Sequence, residues 1–80
     1  MEKRIKNSKV IGANLRRLRE DAGLSQDRLC AALQLRGCDI GRTTYAKYEA
    51  GETSIKAKVI AGLKKIYNCS DEVFFEGTEE

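Results

Sequence analysis

The stretch from Arg42 to Gly51 carries the side chains best suited to contact a polar or anionic ligand. Gly41 can act as the N-cap of a short helix that runs from Arg42 to Ala50 and ends at Gly51. The outer face of this helix would present four small, polar or cationic side chains: Arg42, Thr43, Thr44 and Lys47. Their hydroxyl, guanidinium and ammonium groups all donate hydrogen bonds. A simple solvated helix surface would have the same composition, so this pattern alone does not distinguish the two interpretations.

The inner face of the same helix is expected to anchor it. Tyr45, Ala46 and either Tyr48 or Glu49 lie about one turn apart and would face the rest of the protein. One side of the helix is therefore predicted to hold it in place, while the other is free to meet a ligand.

A second short helix is predicted just before this one. Ser25 can cap it, because its hydroxyl can accept a hydrogen bond from a free backbone N–H of the first turn. Leu29, Ala32 and Leu33 follow at helical spacing and form one apolar face. Gly37 can take the left-handed conformation that ends a helix.

Three further helices surround this pair in the sequence. The first begins with Asn7 or Ser8 as its cap and ends at Gly23, and its apolar stripe is predicted from Ile11, Leu15, Leu18 and Ala22. Another runs from about Ile55 to Tyr67, capped by Thr53 or Ser54, and its inner side is predicted from Ala57, Ile60, Ala61, Leu63 and Tyr67. Asn68 is placed to end it.

A last short helix follows Ser70, and Val73, Phe74 or Phe75 would close the core. No segment alternates apolar and polar residues as a strand does. The chain is therefore predicted to be all-α, a compact bundle of five helices.

Charge is unevenly distributed along these 80 residues. The net formal charge is +3, but residues 1–19 carry +6 and residues 71–80 carry −5. Such polarity suits a polyanion on one side of the domain, although solvated faces would also explain it. No apolar run is long enough to cross a membrane, and no signal-peptide core is present. The three cysteines show no metal-ligand spacing, which argues for reduced thiols and a cytoplasmic protein.

The runs IGANLRRLREDAGLSQDRLCAAL (11–33) and TTYAKYEAGE (43–52) resemble the phage-repressor, or lambda-repressor-like, type of helix-turn-helix domain. The resemblance covers residues 11 to about 75. It implies a five-helix fold whose second and third helices form the DNA-binding pair. The chain is accordingly divided into a flexible basic arm without helical periodicity (1–7), the DNA-binding domain (8–76) and an acidic tail (77–80).

The interval between the second and third helices departs from the family pattern. It is about five residues longer than usual, and the excess falls near residues 35–39. Either the second helix gains a turn, or the connection becomes a short loop with Cys38 or Ile40 turned inward. Ile40 and Tyr45 could then form a hydrophobic staple at the start of the third helix.

By resemblance, the outer face of the third helix enters the major groove of DNA. Arg42, Thr43 and Lys47 are the expected base contacts, with Thr44 beside them. Arginine can donate a bidentate pair to guanine, a threonine methyl can touch a thymine methyl, and lysine can donate to guanine or a phosphate. Phosphate contacts are expected from three residues near helix starts: Ser25, Gln26 and Lys56.

The resemblance also implies an ion pair between Arg19 and Glu49 that fixes the third helix against the first. The expected function is sequence-specific binding of double-stranded DNA by a transcriptional regulator, and repression is its expected effect. Symmetric homodimers on the operator are the family habit, and Tyr67, Phe74 or Phe75 could supply a dimer face if exposed.

Two other functions are alternatives to DNA binding. An enzyme is not expected, because the chain has no histidine and no glycine-rich phosphate loop, and no cofactor or metal is implied. Cys38, in the extended turn, is the one candidate for a reactive thiol. The stronger rival is a protein-interaction adaptor or antitoxin-like module on the same scaffold.

Overall fold

The computed structural model describes residues 8–77, which form four α-helices and one 3₁₀ helix. The elements in chain order are α1 (Ser8–Asp21), α2 (Gln26–Leu35), α3 (Arg42–Glu49), α4 (Ala57–Tyr67) and the 3₁₀ helix (Asp71–Phe75). The all-α prediction is confirmed for this part of the chain, which contains no strand. The count of five helices is wrong, because the last segment has only five residues and forms the tighter 3₁₀ turn instead of an α-helix. The basic arm at 1–7 and residues 78–80 of the acidic tail lie outside the described residues.

Three of the helices end in the same way. Glycines with positive φ follow α1, α2 and α3: Gly23 (72°), Gly37 (83°) and Gly51 (73°). After α3, the Gly51 N–H donates to the Tyr48 carbonyl (3.1 Å) and the Glu52 N–H donates to the Lys47 carbonyl (2.9 Å). This pair of bonds is the Schellman motif, which satisfies the last carbonyls of the helix. Helix α4 ends at Asn68, whose φ of 54° is left-handed as predicted.

Side chains from every helix build one core around α3. The fully buried ones are Leu15, Leu29, Leu33, Tyr45, Val59, Leu63 and Phe74. Helix α1 packs against α3 and the 3₁₀ helix, and α2 packs against α3 and α4. Because Phe74 is fully buried, and Tyr67 and Phe75 pack partly buried against the core, the dimer face expected from these three residues is not exposed.

The connection between α2 and α3 is a loop. Helix α2 does not gain a turn; it ends at Leu35, and six residues (36–41) lead to α3. Cys38 points inward and is 3% exposed, and Ile40 is partly buried against the core. Of the two alternatives, the structure therefore adopts the inward-facing loop. Cys38 is then too buried to be the accessible thiol of the sequence analysis, and Cys69 is the more exposed cysteine.

Helix α4 starts later than the sequence predicted. Its N-cap is Lys56, which makes no side-chain capping bond, so the predicted caps Thr53 and Ser54 are wrong. The helical phase differs as well: Ala57 and Ala61 are exposed. Their predicted places on the inner face are taken by Val59 and Gly62. Gly62 packs so closely on α2 that an added Cβ would lie 2.8 Å from the Leu33 Cδ2.

Contact between α1 and α3 is close enough to exclude a side chain. A Cβ at Gly12, in the interior of α1, would lie 2.4 Å from the Glu49 carbonyl oxygen and 2.6 Å from that of Tyr48. The backbones of the two helices therefore meet directly at this point. A glycine inside a helix costs up to about 1 kcal/mol relative to alanine, and here it permits an approach that no other residue allows.

Asn14 joins α1 to the C-terminal segment. Its side chain is 5% exposed, and its amide nitrogen donates to the carbonyls of Phe74 (3.0 Å) and Glu76 (2.9 Å). Its amide oxygen accepts a hydrogen bond from Arg17 (3.2 Å). Asn14 thus fixes the 3₁₀ helix over the end of the core.

We expect Asn14→Ala to lower the free energy of unfolding by about 2 kcal/mol, because two carbonyls lose their donor in a poorly solvated site. Asn14→Asp separates this effect from a change in volume, since a carboxylate of the same size cannot donate to either carbonyl. It should be at least as unstable as the alanine variant in urea denaturation. An Asn14→Ala variant with wild-type stability would contradict the assignment.

Candidate nucleic-acid interface

A shallow groove runs along the outer face of α3. Six residues line it: Arg42, Thr43, Ala46, Lys47, Ala50 and Glu52. We call this feature the α3 groove. The two alanines leave its floor low, while a guanidinium and an ammonium group stand at its sides. A surface of this kind can admit the edge of a polar, anionic ligand and donate hydrogen bonds to it.

The structure places all four predicted base-contacting residues on the surface, but it groups only three of them. Arg42, Thr43 and Lys47 line the α3 groove together. Thr44 is exposed but does not line the groove. With about 100° of rotation per residue, Thr44 points well away from the stripe formed by Thr43 and Lys47.

Three residues of the groove were absent from the sequence-based set. Ala46 was expected on the inner face of α3, yet it is half-buried and forms part of the groove floor. Ala50 lies four residues further on, so helical spacing from Ala46 could have identified it. Glu52 lies beyond the end of the helix, where no periodic pattern in the sequence extends.

Arg42 also faces an acidic neighbour on α2. Its Nε lies 3.8 Å from a carboxylate oxygen of Asp27, and both side chains are well exposed. A long, exposed pair of this kind contributes little to stability and is screened by salt. The Arg42 side chain is therefore free to leave Asp27 for a ligand in the groove.

The back of α3 is held by an ion pair with two parallel hydrogen bonds. Arg19 of α1 donates through Nε to Glu49 Oε2 (2.7 Å) and through Nη2 to Glu49 Oε1 (3.0 Å). The remaining arm of the guanidinium, Nη1, donates to the Leu24 carbonyl (2.9 Å). The two side chains are 13% and 6% exposed. The structure thus brings together the two residues that the resemblance paired, in the bidentate geometry that best fixes orientation.

Gln26, at the start of α2, completes this arrangement. Its amide nitrogen donates to Glu49 Oε1 (3.1 Å). Burial by itself would raise the pKa of Glu49, but the hydrogen bonds from Arg19 and Gln26 and the positive charge of Arg19 together hold that pKa below its ordinary value. Glu49 is therefore a carboxylate that connects α1, α2 and α3.

Two tyrosine hydroxyls are buried next to this carboxylate. The hydroxyls of Tyr45 and Tyr67 form no hydrogen bond with any described residue, so Tyr45 approaches Glu49 without reaching hydrogen-bond geometry. Burial is the main reason that the pKa of both phenols is raised, and the negative charge of Glu49 raises it further. Tyr45 also contacts Tyr48 edge-to-face, with ring centroids 6.5 Å apart. Both rings of α3 point into the core, which leaves the opposite face for a ligand.

The three predicted phosphate contacts lie in different surroundings. Ser25 is exposed, and its hydroxyl caps α2 by accepting a hydrogen bond from the Arg28 N–H (3.1 Å). The amide of Gln26 is directed at Glu49 and keeps one N–H for another acceptor. Lys56 is exposed at the start of α4, apart from the residues that line the α3 groove.

These features together define a class of protein. A short helix is held from behind by a bidentate ion pair, is preceded by a capped helix, and presents a cationic outer face. That arrangement is typical of a helix-turn-helix domain.

The family comparison agrees with this class. Residues 10–74 match the model of the helix-turn-helix domain, so the chain belongs to that family. The match is consistent with the lambda-repressor-like resemblance and suggests DNA binding and transcription regulation, in a family that is typically non-enzymatic. No curated protein and no solved structure gives a significant match. Within residues 8–77, none of the helices has the length and apolar character needed to span a membrane, and no cluster of metal-binding side chains occurs.

Proposed function

We propose that this protein binds double-stranded DNA sequence-specifically as a cytoplasmic transcriptional regulator, most simply a repressor, with α3 entering the major groove. The observation that supports this most strongly is the division of α3 into two faces. Tyr45, Tyr48 and Glu49 fix the inner face, whereas Arg42, Thr43 and Lys47 line an open groove on the outer one. The major groove admits one α-helix, and a helix held rigidly can present its side chains to base edges.

Phosphate contacts would set the position of α3 on the duplex. The N-terminus of α2 and the exposed Ser25 lie at the end of a helix, where free N–H groups and the helix dipole favour anions. Two copies of the domain on a symmetric operator would supply two such contacts with half-sites about one helical turn apart.

The first experiment is an electrophoretic shift of random-sequence DNA at low salt. Binding that weakens steeply as salt rises is expected, because neutralising phosphates releases counterions. Selection of bound oligonucleotides from a random pool then gives the preferred sequence. A protein that shifts no DNA even at low salt does not have the proposed function.

Arg42→Ala and Gln26→Ala are expected to have different effects on DNA binding. The Arg42 variant should lose preference at one base pair, worth about 1–3 kcal/mol of discrimination. The Gln26 variant should weaken binding to all sequences alike, since phosphate contacts carry no sequence information. Because Gln26 also donates to Glu49, its melting temperature must be measured alongside. An Arg42 variant with wild-type sequence preference removes Arg42 from the base-contacting set.

One observation favours the adaptor as the second candidate. Leu35, at the end of α2, is 85% exposed at the edge of the long α2–α3 loop. It is the one large apolar side chain left exposed among residues 8–77, and a protein partner could cover it. If no DNA is shifted, binding of a partner protein beside this loop becomes the leading proposal for the function. Leu35→Ser should then weaken the binding of that partner.

A further inference from the structure

Glu52 is the one acidic residue among the six that line the α3 groove. It stands just beyond the C-terminal end of α3, whereas Arg42 lies at the opposite end. At 1.5 Å per residue, the eight residues from Arg42 to Glu49 span about 12 Å, or roughly three to four base-pair steps of DNA. The two ends of the groove would therefore meet different base pairs.

The backbone of Glu52 is fixed. Its N–H donates to the Lys47 carbonyl (2.9 Å), and this is the bond of the Schellman motif that spans more residues at the end of α3. The preceding residue, Gly51, packs against α1 so tightly that a Cβ there would lie 2.7 Å from the Lys9 Cα. Glu52 thus projects from a point that moves only with α3 itself.

Its carboxylate is not occupied by another described group. The side chain is exposed, and no basic residue among 8–77 forms an ion pair with it, including Lys47 of the same groove. An unpaired carboxylate accepts hydrogen bonds and donates none. On a DNA duplex it is repelled by every phosphate.

The favourable partners left to it are amino groups at base edges. In the major groove, cytosine presents its N4 amino group as a donor, whereas guanine presents only acceptors. Thymine offers an acceptor and a methyl group, and the adenine amino group lies beside the N7 acceptor, which repels a carboxylate. Cytosine is therefore the base best matched to Glu52.

We propose that Glu52 is a specificity-determining residue, which accepts a hydrogen bond from a cytosine amino group at the end of the site opposite to Arg42. This inference rests on the proposed function and deepens it. It assigns acceptor chemistry to a groove whose two cationic side chains, Arg42 and Lys47, can only donate, so the bound sequence would need an amino group at a defined distance from the base that Arg42 contacts.

The test is oligonucleotide selection with the full chain as wild type, Glu52→Gln and Glu52→Ala. In the wild type, one position of the selected site should favour cytosine by about fivefold or more. Glutamine pairs with adenine through N6 and N7, so Glu52→Gln should move the preference at that position to adenine. Glu52→Ala should flatten it to less than about twofold. Melting temperatures should not change, because the side chain is exposed and unpaired.

Glu72→Gln is the matched control. Glu72 is an exposed acid of the 3₁₀ helix and does not line the α3 groove, so its loss changes net charge equally without altering any base preference. If the Glu52 variants keep the cytosine preference, or bind all sequences more tightly with the preference unchanged, the inference is overturned while DNA binding stands. The same conclusion follows if the wild-type protein selects a DNA sequence in which no position favours cytosine. A wild type that selects nothing overturns both proposals.

Discussion

Glu49→Ala is expected to lower the free energy of unfolding by about 3–5 kcal/mol, the usual result of breaking one side of a buried ion pair. The variant would leave the Arg19 guanidinium, which is only 13% exposed, without its carboxylate. It would also remove the acceptor of the Gln26 amide. For a domain of this size, the melting temperature should fall by more than about 12 °C. DNA affinity should fall with it, because the same carboxylate fixes the orientation of α3.

Glu20→Ala is the matched control for this prediction. Glu20 forms an ion pair with Arg16 at 2.9 Å, a length close to that of the Arg19–Glu49 pair. The side chains of Glu20 and Arg16 are, however, both more than half exposed. Its removal should cost no more than about 0.5 kcal/mol. Equal stability losses in the two variants, or unchanged thermal stability in Glu49→Ala, would show that the buried pair does not hold α3.

Glu49→Gln tests the charge separately from the hydrogen bonds. The pKa of Glu49 is below its ordinary value in the folded protein, so its contribution to stability is present above the unfolded pKa, near 4.5, and is lost as the pH falls through the folded pKa. The glutamine variant has no such titration. Its stability relative to wild type should therefore be lowest near neutral pH, and the difference should narrow under acid conditions in chemical denaturation.

Gly12→Ala is expected to have the second large effect, a loss of about 3 kcal/mol, at the upper end of the usual cost of overpacking. Its added Cβ would meet two backbone carbonyl oxygens, at 2.4 Å and 2.6 Å, and backbone cannot move aside as a flexible side chain can. Helix α3 would have to shift away from α1. Alanine is the better helix former, so helix propensity alone predicts a change of the opposite sign.

Gly41→Ser is the control, because it also adds a Cβ to a helix glycine but at an open position. Gly41 is the N-cap of α3, its φ of −82° suits any residue, and nothing lies within 4 Å of an added Cβ. Serine can supply the capping bond that glycine lacks, so stability should rise by a few tenths of a kcal/mol. If Gly12→Ala proves as harmless as Gly41→Ser in thermal denaturation, α1 and α3 do not approach each other as closely as the structure indicates.

The sequence predicts the helix ends well, because their signals are local. Ser25 caps α2 and Asn68 ends α4 as expected, since a hydroxyl at a helix start and a short side chain at a left-handed position act within one turn. The start of α4 is less determined. Its apolar residues fit two helical phases, and packing against α2 selects the one that buries Val59.

Contacts between distant segments could not be predicted from pattern alone. Asn14 resembles an ordinary polar residue inside a helix. Its role depends on hydrogen bonds to backbone carbonyls about sixty residues later in the chain. The pairing of Arg19 with Glu49 came from the family resemblance, because no periodicity links two positions in separate helices. Glu52 joins the α3 groove through the backbone geometry after the helix, which no spacing rule covers.

The loop between α2 and α3 has a consequence for engineering the protein. Because Cys38 is buried within it, the start of α3 is fixed by that attachment and not by the number of residues that lead to it. Substitutions at the exposed Asp39 should leave the orientation of α3 unchanged, whereas residues inserted beside Gly37 would break the bond from the Cys38 N–H to the Leu33 carbonyl (2.9 Å).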